Sequence, residues 1–167
     1  SISNNNNVYT LGLSLTGTPN GSEVLTVNPV SNAIFDTAGN AASTSQSSNT
    51  VNLKDQTPPT FALIDVANDN STVTITFSES VFNTNGGNGD LEKNDFVLGI
   101  TGGTATLTSN TPSSISVNGN AYTLGLPLQG TPDGEEALTV NPASNAIFDA
   151  AGNAGVTPQI NNNTRNL

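Results

Sequence analysis

No cysteine, histidine, methionine or tryptophan occurs in these 167 residues, and only three are Lys or Arg. Each absence excludes a class of chemistry. Without histidine there is no ordinary general base near neutral pH and no imidazole metal ligand. Without cysteine there are no disulfides, thiol nucleophiles or zinc–thiolate sites. A chain lacking both Cys and Met also escapes the main side-chain oxidation routes, which suits exposure outside a cell. The formal net charge of −10, from 13 acidic residues, argues against nucleic-acid and anionic-membrane partners, since both need clustered cations. It is compatible with a hard cation such as calcium, whose ligands are oxygens. No apolar run is long enough to span a bilayer. The opening Ser1-Ile2-Ser3-Asn4 is not a signal peptide, so secretion would make the chain a mature or internal piece.

What remains is rich in Asn, Thr, Ser and Gly, a composition shared with disordered chains, but the apolar residues alternate. Thr72-Val73-Thr74-Ile75-Thr76-Phe77 and Tyr122-Thr123-Leu124-Gly125-Leu126-Pro127-Leu128 place one side-chain class on each face of a strand. An all-β fold is expected.

The chain also repeats itself. Ser1-Ile2-Ser3 returns as Ser114-Ile115-Ser116, an offset of 113, and 31 of the first 41 positions are identical at that offset. The arithmetic predicts that residues 1–54 are the second half of a repeat of about 113 residues and that residues 55–167 form a complete one. Half a sandwich exposes an apolar face and open strand edges. Its other half is expected from an adjacent repeat segment of the same chain or from a neighbouring identical subunit.

In the complete copy, strands are expected over residues 60–66, 72–78, 96–100, 104–108, 113–117, 121–128, 137–141 and 154–159, with a further short one over 80–83. Asn, Gly, Asp and Pro clusters separate them. Period-two reading points Val73, Ile75, Phe77, Phe96, Leu98, Ile100, Leu107, Tyr122, Leu124, Leu126, Leu128, Leu138, Val140 and Phe148 inward. Short strands without amphipathic helices imply an Ig-like Greek-key β-sandwich. Lys54 to Pro59 reads as the linker.

The ordered set Thr76-Phe77-Ser78-Glu79-Ser80-Val81, Asp95-Phe96, Gly102-Gly103, Gly130 to Glu136 and Ile147-Phe148-Asp149-Ala150-Ala151-Gly152-Asn153 resembles the tandem bacterial Ig-like repeats of giant surface adhesins. The resemblance implies a secreted or cell-surface array that extends a binding tip or builds matrix. It also implies calcium at domain junctions.

The candidate ligands are Asp36 and Asn40, repeated as Asp149 and Asn153, in turns whose central glycine permits positive φ. Linker Asp55 follows the first copy and would complete a junction site with Glu79 or Asp69. The alternative is an ordinary turn in which Asp and Asn bond local amides. The run Asn83 to Asp95 lacks EF-hand spacing and reads as a hairpin loop. Glu135-Glu136 and Asp90 with Glu92 read as solvated surface carboxylates. Lys54 and Lys93 lie in polar connections, whereas an isopeptide crosslink needs a buried lysine beside an acid. Asp36-Thr37-Ala38 resembles a bacterial O-glycosylation sequence, with Thr37 as acceptor; Ala150 replaces the threonine in the second copy.

These readings lead to a non-enzymatic structural spacer of an adhesin or surface filament. The alternatives are a glycan- or surface-binding module displaying its Thr-rich faces, and a strand-exchanged filament subunit.

Overall fold

The computed structural model describes all 167 residues. The protein is almost entirely β, with antiparallel sheets throughout, and divides into two compact units, Ser1–Thr57 and Pro58–Leu167. The first unit holds β1 (Ile2–Asn5), β2 (Val8–Leu11), β3 (Val24–Thr26) and β4 (Thr50–Asn52). The second holds β5 (Phe61–Val66), β6 (Thr72–Phe77), β7 (Phe96–Thr101), β8 (Thr106–Leu107), β9 (Ile115–Asn118), β10 (Ala121–Gly125), β11 (Leu128–Gln129), β12 (Ala137–Pro142) and β13 (Thr164–Asn166). A single 3-10 turn, Lys93–Asp95, precedes β7. No helix is long and apolar enough to cross a membrane.

In the second unit the main sheets have the orders β5-β6-β10-β9 and β13-β12-β7. β6 shows why the chain folds this way. Val73, Ile75 and Phe77 are buried while the intervening threonines stay half-exposed. On the wetter face, the Thr74 and Thr123 hydroxyls bond across the β6–β10 pair at 2.9 Å. The dry faces meet in one core, where Phe77 packs edge-on against Phe61 (centroids 5.1 Å apart) and Tyr122 (5.6 Å). Burying each such side chain contributes about 1.5–3 kcal/mol.

Three expectations change. Ile100, Leu107, Leu128 and Phe148 are only half-buried, and Ile147 takes the core place assigned to Phe148. The cause is local: Phe148 lies in a turn region, bridging Phe82 and Ala154, where strand parity does not apply. The strand expected over 154–159 is absent. Pro158, in a cis peptide bond with Thr157, cannot donate to a ladder. Gln159 holds the segment by its side chain instead, accepting the Phe61 N–H and donating to the Val156 carbonyl at 2.8 Å. The last strand is β13, a Thr-Arg-Asn segment with no apolar alternation to betray it.

The first unit repeats the local backbone of residues 114–167. In the β1–β2 hairpin Ile2 faces Leu11 and Asn4 faces Tyr9; in β9–β10, Ile115 faces Leu124 and Val117 faces Tyr122. β3–β4 pairs Leu25 with Val51 as β12–β13 pairs Leu138 with Arg165, so Thr50-Val51-Asn52-Leu53 corresponds to Thr164-Arg165-Asn166-Leu167. The offset has grown by one residue in the preceding loop, and the pairing register is kept. Exposure is what differs. Tyr9 and Leu11 are 61% and 46% exposed, against 7% and 0% for Tyr122 and Leu124.

Candidate functional site

The two Asp–Asn turns are built alike. In the first, the Asp36 carboxylate accepts the backbone N–H groups of Ala38 (2.9 Å) and Asn40 (2.8 Å) and the Asn40 side-chain amide (2.8 Å). In the second, Asp149 accepts the backbone N–H of Asn153 (2.8 Å) and its side-chain amide (2.7 Å). Gly39 and Gly152 close the turns at φ +87° and +93°, a region that glycine enters without strain. The Asn40 side-chain amide, followed by its backbone N–H, holds the Asp36 carboxyl below its ordinary value. Both asparagines therefore aim a donor at their aspartate, the local turn bonding weighed from the sequence.

The turns differ in setting. Asp149 is fully buried, whereas Asp36 is exposed. Within the second unit, half-buried Glu79 brings a carboxylate oxygen within 4.8 Å of one from Asp149. Asp69 stands apart from this pair. It accepts the Ser71 N–H (3.0 Å) and hydroxyl (2.7 Å) in the β5–β6 turn, and the Ser71 hydroxyl lowers its pKa. Glu79 follows the other end of β6, so roughly 17 Å of strand, at ~3.3 Å per residue, separates the two ends. In the first unit Asp55 caps its own linker by accepting the Thr57 N–H at 2.9 Å. Thr37 is exposed in its turn, as are Lys54 and Lys93.

Hard carboxylate oxygens fit calcium chemically, and Glu79 with Asp149 is the pair that would hold such an ion in the second unit. Calcium takes six to eight oxygens, so backbone carbonyls and water would complete its shell.

The most fully engaged carboxylate belongs to Glu136, read from the sequence as solvated surface. It is fully buried. One oxygen accepts the N–H groups of Thr104 and Ala105, both at 2.9 Å, and the other accepts those of Asp133 (3.0 Å) and Gly134 (3.2 Å). These amides, that of Ala105 foremost, lower its pKa to about 2. Gly103, at φ +56°, makes the approach possible, because a Cβ there would overlap the carboxylate. Glu136 thus ties the loop before β8 to the start of β12. The sequence signal was the Gly102-Gly103 pair, since adjacent glycines mark a positive-φ turn or a close approach to bare backbone.

The hairpin Asn83 to Asp95 is tied down at several points. Leu91 enters the core, Thr84 pairs with Asn88, and the Asp95 carboxylate accepts the Glu92 N–H at 2.7 Å.

The first unit holds a cleft of about 760 Å³ lined by apolar groups including Ile2, Tyr9, Leu11, Val27, Ile34 and Phe35. Tyr122, Leu124, Val140 and Ile147, the counterparts of Tyr9, Leu11, Val27 and Ile34, are core residues of the second unit. No protein-family model, curated protein or solved structure matches this chain.

Proposed function

We propose that the chain is a structural spacer from a tandem array of Ig-like repeats, belonging to an extracellular bacterial adhesin or surface filament. One observation carries this reading. A 41-residue segment occurs twice, identical at 31 positions and with the same hairpin register, its apolar face enclosed in one copy and open in the other. A unit that buries its face only against the rest of its repeat suits a modular array.

The Ig-like assignment draws on strand order. With β5, β6, β7, β9, β10, β12 and β13 named A, B, C, D, E, F and G, the sheets read A-B-E-D and G-F-C, the constant-type Ig order. An array of such units acts mechanically, each resisting extension through its antiparallel ladders. The absence of His and Cys and the adhesin resemblance of the motifs favour this role over catalysis. Its partners are adjacent repeats of the same chain or neighbouring identical subunits.

Calcium belongs to the same proposal. Glu79 and Asp149 are its ligands in the second unit. Melting with calcium and with a chelator tests this. A lower melting temperature in chelator, abolished by Asp149→Asn, is expected. An unmoved melting temperature removes the ion and leaves the spacer.

Single-molecule extension tests the spacer itself. Unfolding of Pro58–Leu167 should appear as one discrete event releasing roughly 350–400 Å of chain, at ~3.3–3.6 Å per residue. Gradual extension without such an event would contradict a load-bearing unit.

A further inference from the structure

We propose that the apolar cleft of residues 1–57 is a docking surface for a half-repeat of the kind formed by residues 58–113, with Glu23 as its polar latch. The second unit displays both the surface and its occupant. There β10, the counterpart of β2, pairs with β9 on one edge and with β6 on the other. β12, whose first three residues correspond to β3, pairs with β13 on one edge and with β7 on the other. In the first unit β2 pairs only with β1, and β3 only with β4. The two strand edges that lack a partner are those which β6 and β7 fill in the complete copy. The exposed side chains between them are those that Ile75, Phe77 and Phe96 help to bury there.

The latch follows from the hydrogen bonds. Glu23 corresponds to Glu136, and its carboxylate accepts the Asn20 N–H as that of Glu136 accepts the Asp133 N–H. Two further anchors of Glu136, the N–H groups of Thr104 and Ala105, belong to the half-repeat that the first unit lacks. An incoming segment of this kind would aim its equivalent pair of amides at Glu23.

Counting halves narrows the source. Residues 1–167 hold two copies of the second half and one of the first, residues 58–113, which is engaged by residues 114–167. Exchange among copies of these residues would only move the open face from one second half to another. The occupant is therefore a further half-repeat from outside residues 1–167. The inference stands on these contacts and not on the spacer role, so a chain that bears no load could still dock this segment.

The test places a second copy of residues 58–113 directly ahead of Ser1, reproducing the Ser113–Ser114 peptide junction and leaving residues 1–167 intact. Hydrogen exchange at the amides of β2 and β3 should slow by at least about a hundredfold, the change from frayed edge to paired core strand. Binding of an apolar dye should fall in parallel. Glu23→Gln in the fused chain should give back part of that protection. A fused copy carrying serine at its equivalents of Val73, Ile75 and Phe77 should give none, with the exchange of residues 58–167 as internal reference. Equal exchange with and without the added copy would overturn the proposal. So would a self-associated chain whose first units cover one another and stay associated after fusion. Unchanged protection in the Glu23→Gln variant would remove the latch.

Discussion

Tyr9 and Tyr122 occupy equivalent places in the β1–β2 and β9–β10 hairpins, one largely exposed and the other buried. The pairs Leu11 and Leu124, Val27 and Val140, and Ile34 and Ile147 diverge in the same sense. Yet the backbones agree closely. Asn32 and Asn145 share φ values of 53° and 54°, and the Gly12 and Gly125 amides return to Ser1 and Ser114 at 2.9 and 3.0 Å. Local sequence therefore specifies turn and register in both copies, while burial depends on strands contributed from elsewhere in the repeat. Local structure and tertiary stabilisation, usually inseparable, can be compared here within one chain.

The sharpest way to break that comparison is to cut the same side chain in each copy. Leu124→Ala and Leu138→Ala should each destabilise the main unfolding transition by about 2–5 kcal/mol, as buried leucine truncations do. The matched change at exposed Leu11 should shift it by less than about 0.5 kcal/mol. Chemical denaturation of the four chains, wild type included, reads both. Equal losses at Leu11 and Leu124 would mean that the first unit encloses its face after all.

Gly103→Ala comes next, at about 1–3 kcal/mol, because its Cβ meets the Glu136 carboxylate at a positive φ of 56°. Gly119 has nearly the same φ, 59°, with nothing within 4 Å of a Cβ, and its counterpart Asn6 holds φ 56°. Gly119→Asn, which copies the first unit into the second, should therefore change stability by less than about 0.5 kcal/mol. A large loss there would show that the two hairpins are less alike than their registers suggest.

Acid titration probes the Glu136 anchor. Its folded pKa lies near 2 against an ordinary value of 4.5, so its contribution is complete above pH 4.5 and is lost as the pH falls toward 2. Urea midpoints across this window should decline less steeply in Glu136→Gln than in wild type. Parallel acid limbs would show that the four amides do not favour the charged form.

Much of the fold was legible because β-strands announce themselves by alternation, and β6, β10 and β12 alternate clearly. The repeat was legible as identity. What stayed hidden lacked a periodic signal: β13, the side-chain anchoring around Gln159, and the displacement of Phe148 by Ile147. The Asp36 and Asp149 turns were legible in form, since Asp, Gly and Asn at that spacing bond one another locally. Glu136 was missed because acidity was read as solvation. Two of the four amides that hold the carboxylate come from a distant loop, admitted by Gly103.

Native-state hydrogen exchange on the unaltered chain tests the central claim most directly, by comparing Val8–Leu11 with Ala121–Leu124 in one sample. β10, paired on both edges and closed over by the core, should exchange more slowly than β2 by on the order of a thousandfold or more, the scale of opening a stable domain. Comparable protection in the two strands would contradict the account, since it would mean that residues 1–57 already possess the cover that their sequence twin receives from residues 58–113.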